Sequence, residues 1–331
     1  MHKAILSRLQ REAAPLKLSR FASGRGPILA VFDDWSGHPL WVAKTASEPL
    51  HAARLRNEYD ALMYIAPWSG ELGIPRVLEW QESCGEAVLI QSGVPGARGR
   101  VSLSTNASDK RLERHFQEPL AWAERFRALV PAPSGMTVGQ LAERYVVDLR
   151  GREFGNAVNG LVEILGQAGP ASLRPVVAVH GDFNPSNVLL KRPGLSVVDW
   201  PTFGPGFPLQ DAFSFITNTD YYGRGHVCAL AESYQHAFFS SSRVSQLVRL
   251  QTEAAKCSAD DSRFLFYCFL AAQICADAAV PQQTWLDILG YLQEFGYPGP
   301  FTPLPAPRLD SGSVVSHAIA ASSAHCRTAD A

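Results

Sequence analysis

Residues 176–211, VVAVHGDFNPSNVLLKRPGLSVVDWPTFGPGFPLQD, decide how this chain is read. Val176 to Val179 is a short apolar, β-branched run after Pro175, and it stops at His180-Gly181-Asp182, which predicts a strand ending in a loop. Val188 to Leu190 makes a second short strand, Lys191 to Gly194 carries a Pro-Gly turn, and Leu195 to Val198 makes a third that ends at Asp199. Closing that hairpin carries Asp199 back toward Asn187, the residue before the outgoing strand, and Asp182 lies five residues earlier on the same loop. Three oxygen-bearing side chains are expected to converge. Two carboxylates and an amide oxygen suit a hard cation such as Mg²⁺, which takes oxygen ligands and keeps waters or substrate phosphates in its shell.

The segment resembles the aminoglycoside phosphotransferase and choline kinase family, distant relatives of protein kinases. His180-Gly181-Asp182 with Asn187 is similar to its HGDxxxxN catalytic loop, and Val198-Asp199-Trp200 to its metal-binding segment; Asp211 follows in a Gly-Pro-rich loop. The resemblance implies an α+β, bilobed, protein-kinase-like fold, with a small N-terminal antiparallel sheet lobe carrying one helix and a larger α-helical C-terminal lobe. It also implies roles. Asp182 would be the catalytic base, Asn187 and Asp199 would hold Mg²⁺, His180 would brace the loop, and Asp211 would accept hydrogen bonds from it. ATP would be the phosphate donor and the hydroxyl of a small molecule (aminoglycoside, sugar or amino alcohol) the acceptor. Gly181 stands where protein kinases carry Arg, so nothing obvious reads an activation-loop phosphate. Pro201 replaces the acidic residue common after Asp-Trp, a departure that removes no required metal ligand.

Upstream, Phe21 to Phe32 couples a Ser-Gly-Arg-Gly turn to a β-rich run. The resemblance implies that Gly24 and Gly26 let backbone N–H groups approach phosphate; an ordinary hairpin turn is the plainer alternative. Leu40 to Ala43 makes a strand that presents Lys44, and Leu55 to Ile65 is helical in period and offers Glu58. By resemblance these two pair, the ammonium reaching the α- and β-phosphates; the alternative is a surface salt bridge of little worth. Ile74 to Trp80 and Glu86 to Gln91 read as two more strands, the second leading into Ser92-Gly93-Val94-Pro95-Gly96. That resembles the family's interlobe hinge, where backbone groups around Gln91 and Gly93 would hold adenine.

Met1 to Leu16 reads as a short leading helix, so the N-terminal lobe is taken as 1–92. Helical spacing then runs through 112–129, 138–148, 158–165, 212–219, 227–239, 244–255, 262–276 and 284–295, giving a C-terminal lobe of 93–297. An aminoglycoside reader would want acidic residues there, and Asp220, Glu232, Asp260 and Asp261 are candidates without a pattern. Pro298 to Ala331, rich in Pro, Ser and Ala, is expected to be a disordered tail.

Composition narrows the field. With 30 Lys and Arg against 31 Asp and Glu, the balance argues for neither a nucleic-acid nor a membrane partner. The six cysteines show no CxxC spacing and are read as reduced thiols, and no signal peptide or spanning segment is evident, which points to a cytoplasmic protein. The alternative from another functional class is a catalytically silent nucleotide-binding pseudokinase or regulatory scaffold, against which stands the presence of Lys44, Asp182, Asn187 and Asp199 together. A metallophosphoesterase would want Asn-His and His-x-His clusters that are missing, and Cys and His are too scattered for zinc.

Overall fold

Apolar residues recur along three strands and one helix near the start of the chain, and pairing them closes a first hydrophobic layer. The computed structural model describes residues 17–23, 26–32, 38–83, 86–98, 109–152, 154–167, 169–191, 193–223, 230–276 and 282–305. The leading helix expected over 1–16, and Gly24, lie outside them. Strands β1 (Lys17–Ser23), β2 (Gly26–Phe32), β3 (Trp41–Ala46), β4 (Val77–Ser83) and β5 (Glu86–Ser92) form an antiparallel sheet in the order β1-β2-β3-β5-β4. One face of it buries Ala43, Val88 and Ile90 against Leu29 and Trp41. Helix α1 (Pro49–Ile65) covers part of the sheet with Ala52, Leu55, Ala61, Leu62 and Ile65, and among these apolar residues it also buries Glu58. A one-turn helix, α2 (Ser69–Leu72), precedes β4.

The chain divides into two compact units that do not follow a single cut in the sequence. The described residues up to 98 group with Ser186–Phe203, and those of 109–185 with those from Gly204 onward. A boundary at 92/93 would leave the hairpin of β8 (Val188–Leu190) and β9 (Leu195–Val197) with the helices; it belongs instead with the sheet. The reason is pairing. After β5 the chain forms β6 (Ala97–Arg98), which pairs with β8, and the Val197 amide donates to the Gly73 carbonyl at 3.2 Å.

The second unit is mostly helical: α3 (Asp109–Leu129), α4 (Val138–Arg150), α5 (Asn159–Leu165), α6 (Gln210–Gly223), α7 (Leu230–Phe238), α8 (Arg243–Ala254), α9 (Ala259–Ala276) and α10 (Gln282–Glu294). Strands β7 (Val177–Val179) and β10 (Gly204–Gly206) pair within it. Local signals fix several ends: Thr137 and Gln140 form a reciprocal capping box at the start of α4. The centre is aromatic, with Phe213, Phe238, Phe266 and Phe269 all buried.

Of the tail expected over 298–331, residues 298–305 are described. Residues 298–305 pack on the second unit: the Leu304 amide donates to the Phe239 carbonyl at 2.9 Å, and Gln235 Nε2 to the Leu304 carbonyl at 3.0 Å. Carbonyls at a helix end lack intrahelical partners, and this segment supplies one just past α7. Arg249 also lies over the Phe301 ring, 5.1 Å from its centre. The Pro-, Ser- and Ala-rich composition of 298–331 as a whole hid these contacts.

Candidate active site

In the first unit Lys44, on β3, is gripped from two sides. Its Nζ donates to Glu58 Oε1 at 2.7 Å and Oε2 at 2.9 Å, and to Asp199 Oδ1 at 3.0 Å. Lys44 precedes the end of its strand by two residues, and Glu58 occupies the buried face of α1, so the pair forms where strand and helix pack. Burial by itself would lower the Lys44 pKa, but Glu58 and Asp199 outweigh it and hold the ammonium protonated well above its ordinary value. Burial pushes the Glu58 carboxyl up, against the pull of Lys44 and a backbone hydrogen bond from Trp200. The ammonium governs the cluster, because it answers to two carboxylates.

Asp199 follows β9 and adopts a left-handed backbone, φ 69°. Non-glycine residues held in that region cost energy and gather at functional sites. Two contacts over-determine it here. Trp200 is fully buried with its indole donating to the Val197 carbonyl at 3.2 Å, and the Val198 amide donates to the Asn187 carbonyl at 3.0 Å. The second bond ties the Asn187 backbone to the residue before Asp199. Among the described residues no three His, Cys, Asp or Glu side chains gather as a metal cage. Asp199 and Asn187 offer a carboxylate and an amide oxygen, a hard donor set that fits Mg²⁺ completed by phosphate and water, and does not fit zinc.

Gly26 opens β2 opposite Ser23, as the last register pair of the β1–β2 hairpin. At the end of β5, the Gly93 amide donates to the Leu40 carbonyl at 2.8 Å, so that amide is committed within the unit. A Cβ on Gly93 would sit 1.6 Å from the Pro39 carbonyl oxygen, so glycine is required there by close backbone approach. Gln91 is buried.

In the second unit the loop after β7 is organised by Asp211 at the start of α6. The His180 amide donates to Asp211 Oδ2 at 2.8 Å and the Gly181 amide to Oδ1 at 3.1 Å. Burial raises the Asp211 pKa, while His180 and the two amides pull it back. Gly181 takes φ 83°, a turn an L side chain resists. His180 is fully buried, and its Nδ1 accepts from the Asp182 amide at 3.2 Å. Phe183 anchors the loop: its fully buried ring stacks on Trp122 at 5.3 Å and meets Phe215 at 5.2 Å. Burying such a side chain stabilises by about 2–3 kcal/mol.

Asn184 was not singled out by its position in the motif, yet its Nδ2 donates to Asp182 Oδ1 at 2.7 Å and to the Asp182 carbonyl at 3.2 Å. An Asn two residues after an Asp in a tight loop is the only sequence signal for it. Two of the acidic candidates for acceptor recognition are engaged by separate basic partners. Asp220 pairs with His236 at 2.9 Å, and Asp261 is engaged by Arg174 at 3.1 Å while accepting from the Ser258 amide at 3.3 Å. Asp261 therefore helps start α9, and Asp260 and Glu232 sit in the first turns of α9 and α7.

If Lys44 and Glu58 act as one unit, Lys44→Ala and Glu58→Ala each lower turnover and the double variant is little worse than either single. Steady-state rates on all three variants check this, and fully additive losses would mean the two groups act separately.

A model of the phosphotransferase enzyme family matches residues 29–247. No curated protein matches the sequence. Among solved structures, the chain is similar to aminoglycoside phosphotransferase APH(3'')-Id from Streptomyces rimosus, determined with ADP and streptomycin (18% identity, TM-score 0.54, covering 82% of this chain and 97% of that one). It is also similar to APH(2")-IIIa, determined with GDP and kanamycin (14%, 0.52, 89% and 97%). A third is choline kinase from Cryptosporidium parvum (11%, 0.52, 90% and 98%). At these identities the likeness shows the shared kinase-like fold.

Proposed function

The chain belongs to the phosphotransferase enzyme family, and from that premise we propose that it transfers the γ-phosphate of ATP to a hydroxyl of a small molecule of the aminoglycoside, sugar or amino alcohol class. The observation that carries this reading is the Lys44 ammonium held between Glu58 and Asp199. Phosphoryl transfer asks a protein mainly to position its reactants and to stabilise charge on the transferred group. A half-buried ammonium, held in its charged form by two carboxylates and next to a carboxylate–amide donor pair, meets the second demand. The neighbours determined with ADP and with GDP support a nucleoside triphosphate donor, and kinship admits either purine.

Each residue then has a separable task. Lys44 binds the α- and β-phosphates, with Glu58 fixing its position. Asn187 and Asp199 would hold Mg²⁺, which when bound neutralises phosphate charge. Asp182 orients the acceptor hydroxyl and takes its proton at a carboxylate oxygen. Asn184 sets the rotation of that carboxylate, and Asp211 holds the loop through the amides of His180 and Gly181. Among the described residues no helix is long and apolar enough to cross a membrane, and Cys257, Cys268 and Cys275 are free thiols. These features and an ATP donor suit work in the cytoplasm.

Incubating the full chain with ATP and Mg²⁺ against panels of aminoglycosides, sugars and amino alcohols, with ADP release as the readout, tests the proposal. ADP formation should depend on one acceptor class and stop on chelation with EDTA. Nucleotide binding with no acceptor-dependent ADP across all three panels would favour a binding module instead.

A further inference from the structure

Gln91 ends β5, one residue before Ser92 closes the strand and the chain leaves the sheet. It is 3% exposed, and its Oε1 is buried with no hydrogen-bond partner among the described residues. Buried polar atoms are nearly always paired, so an orphaned acceptor in a well-packed sheet asks for an explanation.

The strand register says where this amide lies. Gln91 is opposite Val42, and Leu89 is opposite Lys44. Residues directly opposite in an antiparallel pair share a face, as do residues two apart on one strand. Gln91 and Val42 are therefore on the face that carries Lys44, displaced along the strands by two residues, roughly 7 Å, toward the end where the chain departs. On β2 the same face continues through Ala30, opposite Val42, and Ile28, opposite Lys44. The other face is the closed core of Ala43, Val88 and Ile90. One face thus carries a cation with Ile28 and Leu89 beside it and, two residues farther along, Val42 and Ala30 level with an unpartnered amide oxygen. A nucleotide carries matching chemistry: phosphates at one end and, at the other, a base with an apolar ring face and a polar edge.

We propose that the side chain of Gln91 reads the base of the phosphate donor, its Oε1 accepting a hydrogen bond from the exocyclic 6-amino group of adenine. This rests on the nucleotide-donor reading above and assigns its base specificity. Guanine presents a carbonyl oxygen at the same position, an acceptor facing Oε1 that only a rotated amide could meet, so in this orientation adenine is preferred. A site built to satisfy a buried polar group rejects the analogue that lacks the complementary group, because the protein atom is then left unpaired.

The test compares binding of Mg-ATP, Mg-GTP and the Mg complex of purine riboside triphosphate, which lacks the 6-amino group, by calorimetry on the full chain. The natural protein should bind ATP about 10-fold or more tighter than purine riboside triphosphate, the scale of one buried hydrogen bond, and tighter than GTP. In Gln91→Met, similar in length but apolar, that ratio should fall to near one, through loss of ATP affinity with purine riboside triphosphate still bound. Equal binding of ATP and purine riboside triphosphate by the natural protein would overturn the assignment without use of any variant. So would a ratio unchanged in Gln91→Met. If no nucleotide binds at all, the donor reading falls and this inference with it; if all three bind equally, only the role of Gln91 falls.

Discussion

Replacing Asp182 with Asn should lower phosphoryl transfer by roughly 10²- to 10⁴-fold, the usual contribution of a positioned acid or base, and should leave ATP binding close to that of the natural protein. The substitution keeps the size of the side chain and an oxygen able to accept from Asn184, but removes the charge and the proton acceptor. The loop should survive it. Its shape is held by the Asp211 bonds to His180 and Gly181, by the Asp182 amide on His180 Nδ1, and by Phe183 packed between Trp122 and Phe215, none of which uses the Asp182 carboxylate. If Asp182 instead supports Asn187 and the metal, nucleotide affinity and turnover fall together. ATP affinity and single-turnover rate measured side by side, once an acceptor is found, separate the two cases. Full activity in Asp182→Asn would remove the residue from the chemistry.

Replacing Asp199 with Ala should abolish the Mg²⁺ dependence of ATP binding, with affinity for Mg-ATP falling by on the order of 10²-fold, at the upper end of what loss of a supporting residue costs at a metal site. Without metal the expected sign reverses. Asp199 repels phosphate and occupies Lys44, so the variant should bind metal-free ATP as well as the natural protein or better. Lys44 keeps its two bonds to Glu58 in either case. Because Asp199 has a positive φ, Ala there carries a backbone cost of about 1–2 kcal/mol. Asp199→Asn tolerates that backbone better and removes only the charge, so both variants should show the same metal-dependent loss. Calorimetry with and without Mg²⁺ reads the effect, and unchanged Mg-ATP affinity would count against the site.

What the sequence by itself determined is local. The short apolar run that stops at His180, the Pro-Gly turn before Leu195 and the helical period around Glu58 each depend on neighbours a few residues away, and the structure has strands at Val177–Val179 and Leu195–Val197 and a helix over Pro49–Ile65. Even the motif spacing was legible, because residues 180–187 are one continuous piece of chain. Tertiary packing decided the rest. The bond from Lys44 to Asp199 spans 155 residues, and no local pattern marks Asp199 as a partner for a strand lysine. The hairpin of residues 188–197 belongs with the sheet because β6 pairs with β8, a registry that two residues, Ala97 and Arg98, are too short to announce. Residues 298–305 look like the start of a Pro-rich tail until the Phe239 carbonyl just past α7 supplies a partner. Gln91 reads as one more strand residue. Only its cross-strand register with Val42, and a burial that leaves its oxygen without a donor, give it a place beside Lys44, since which face a strand residue shares is set by pairing with distant strands.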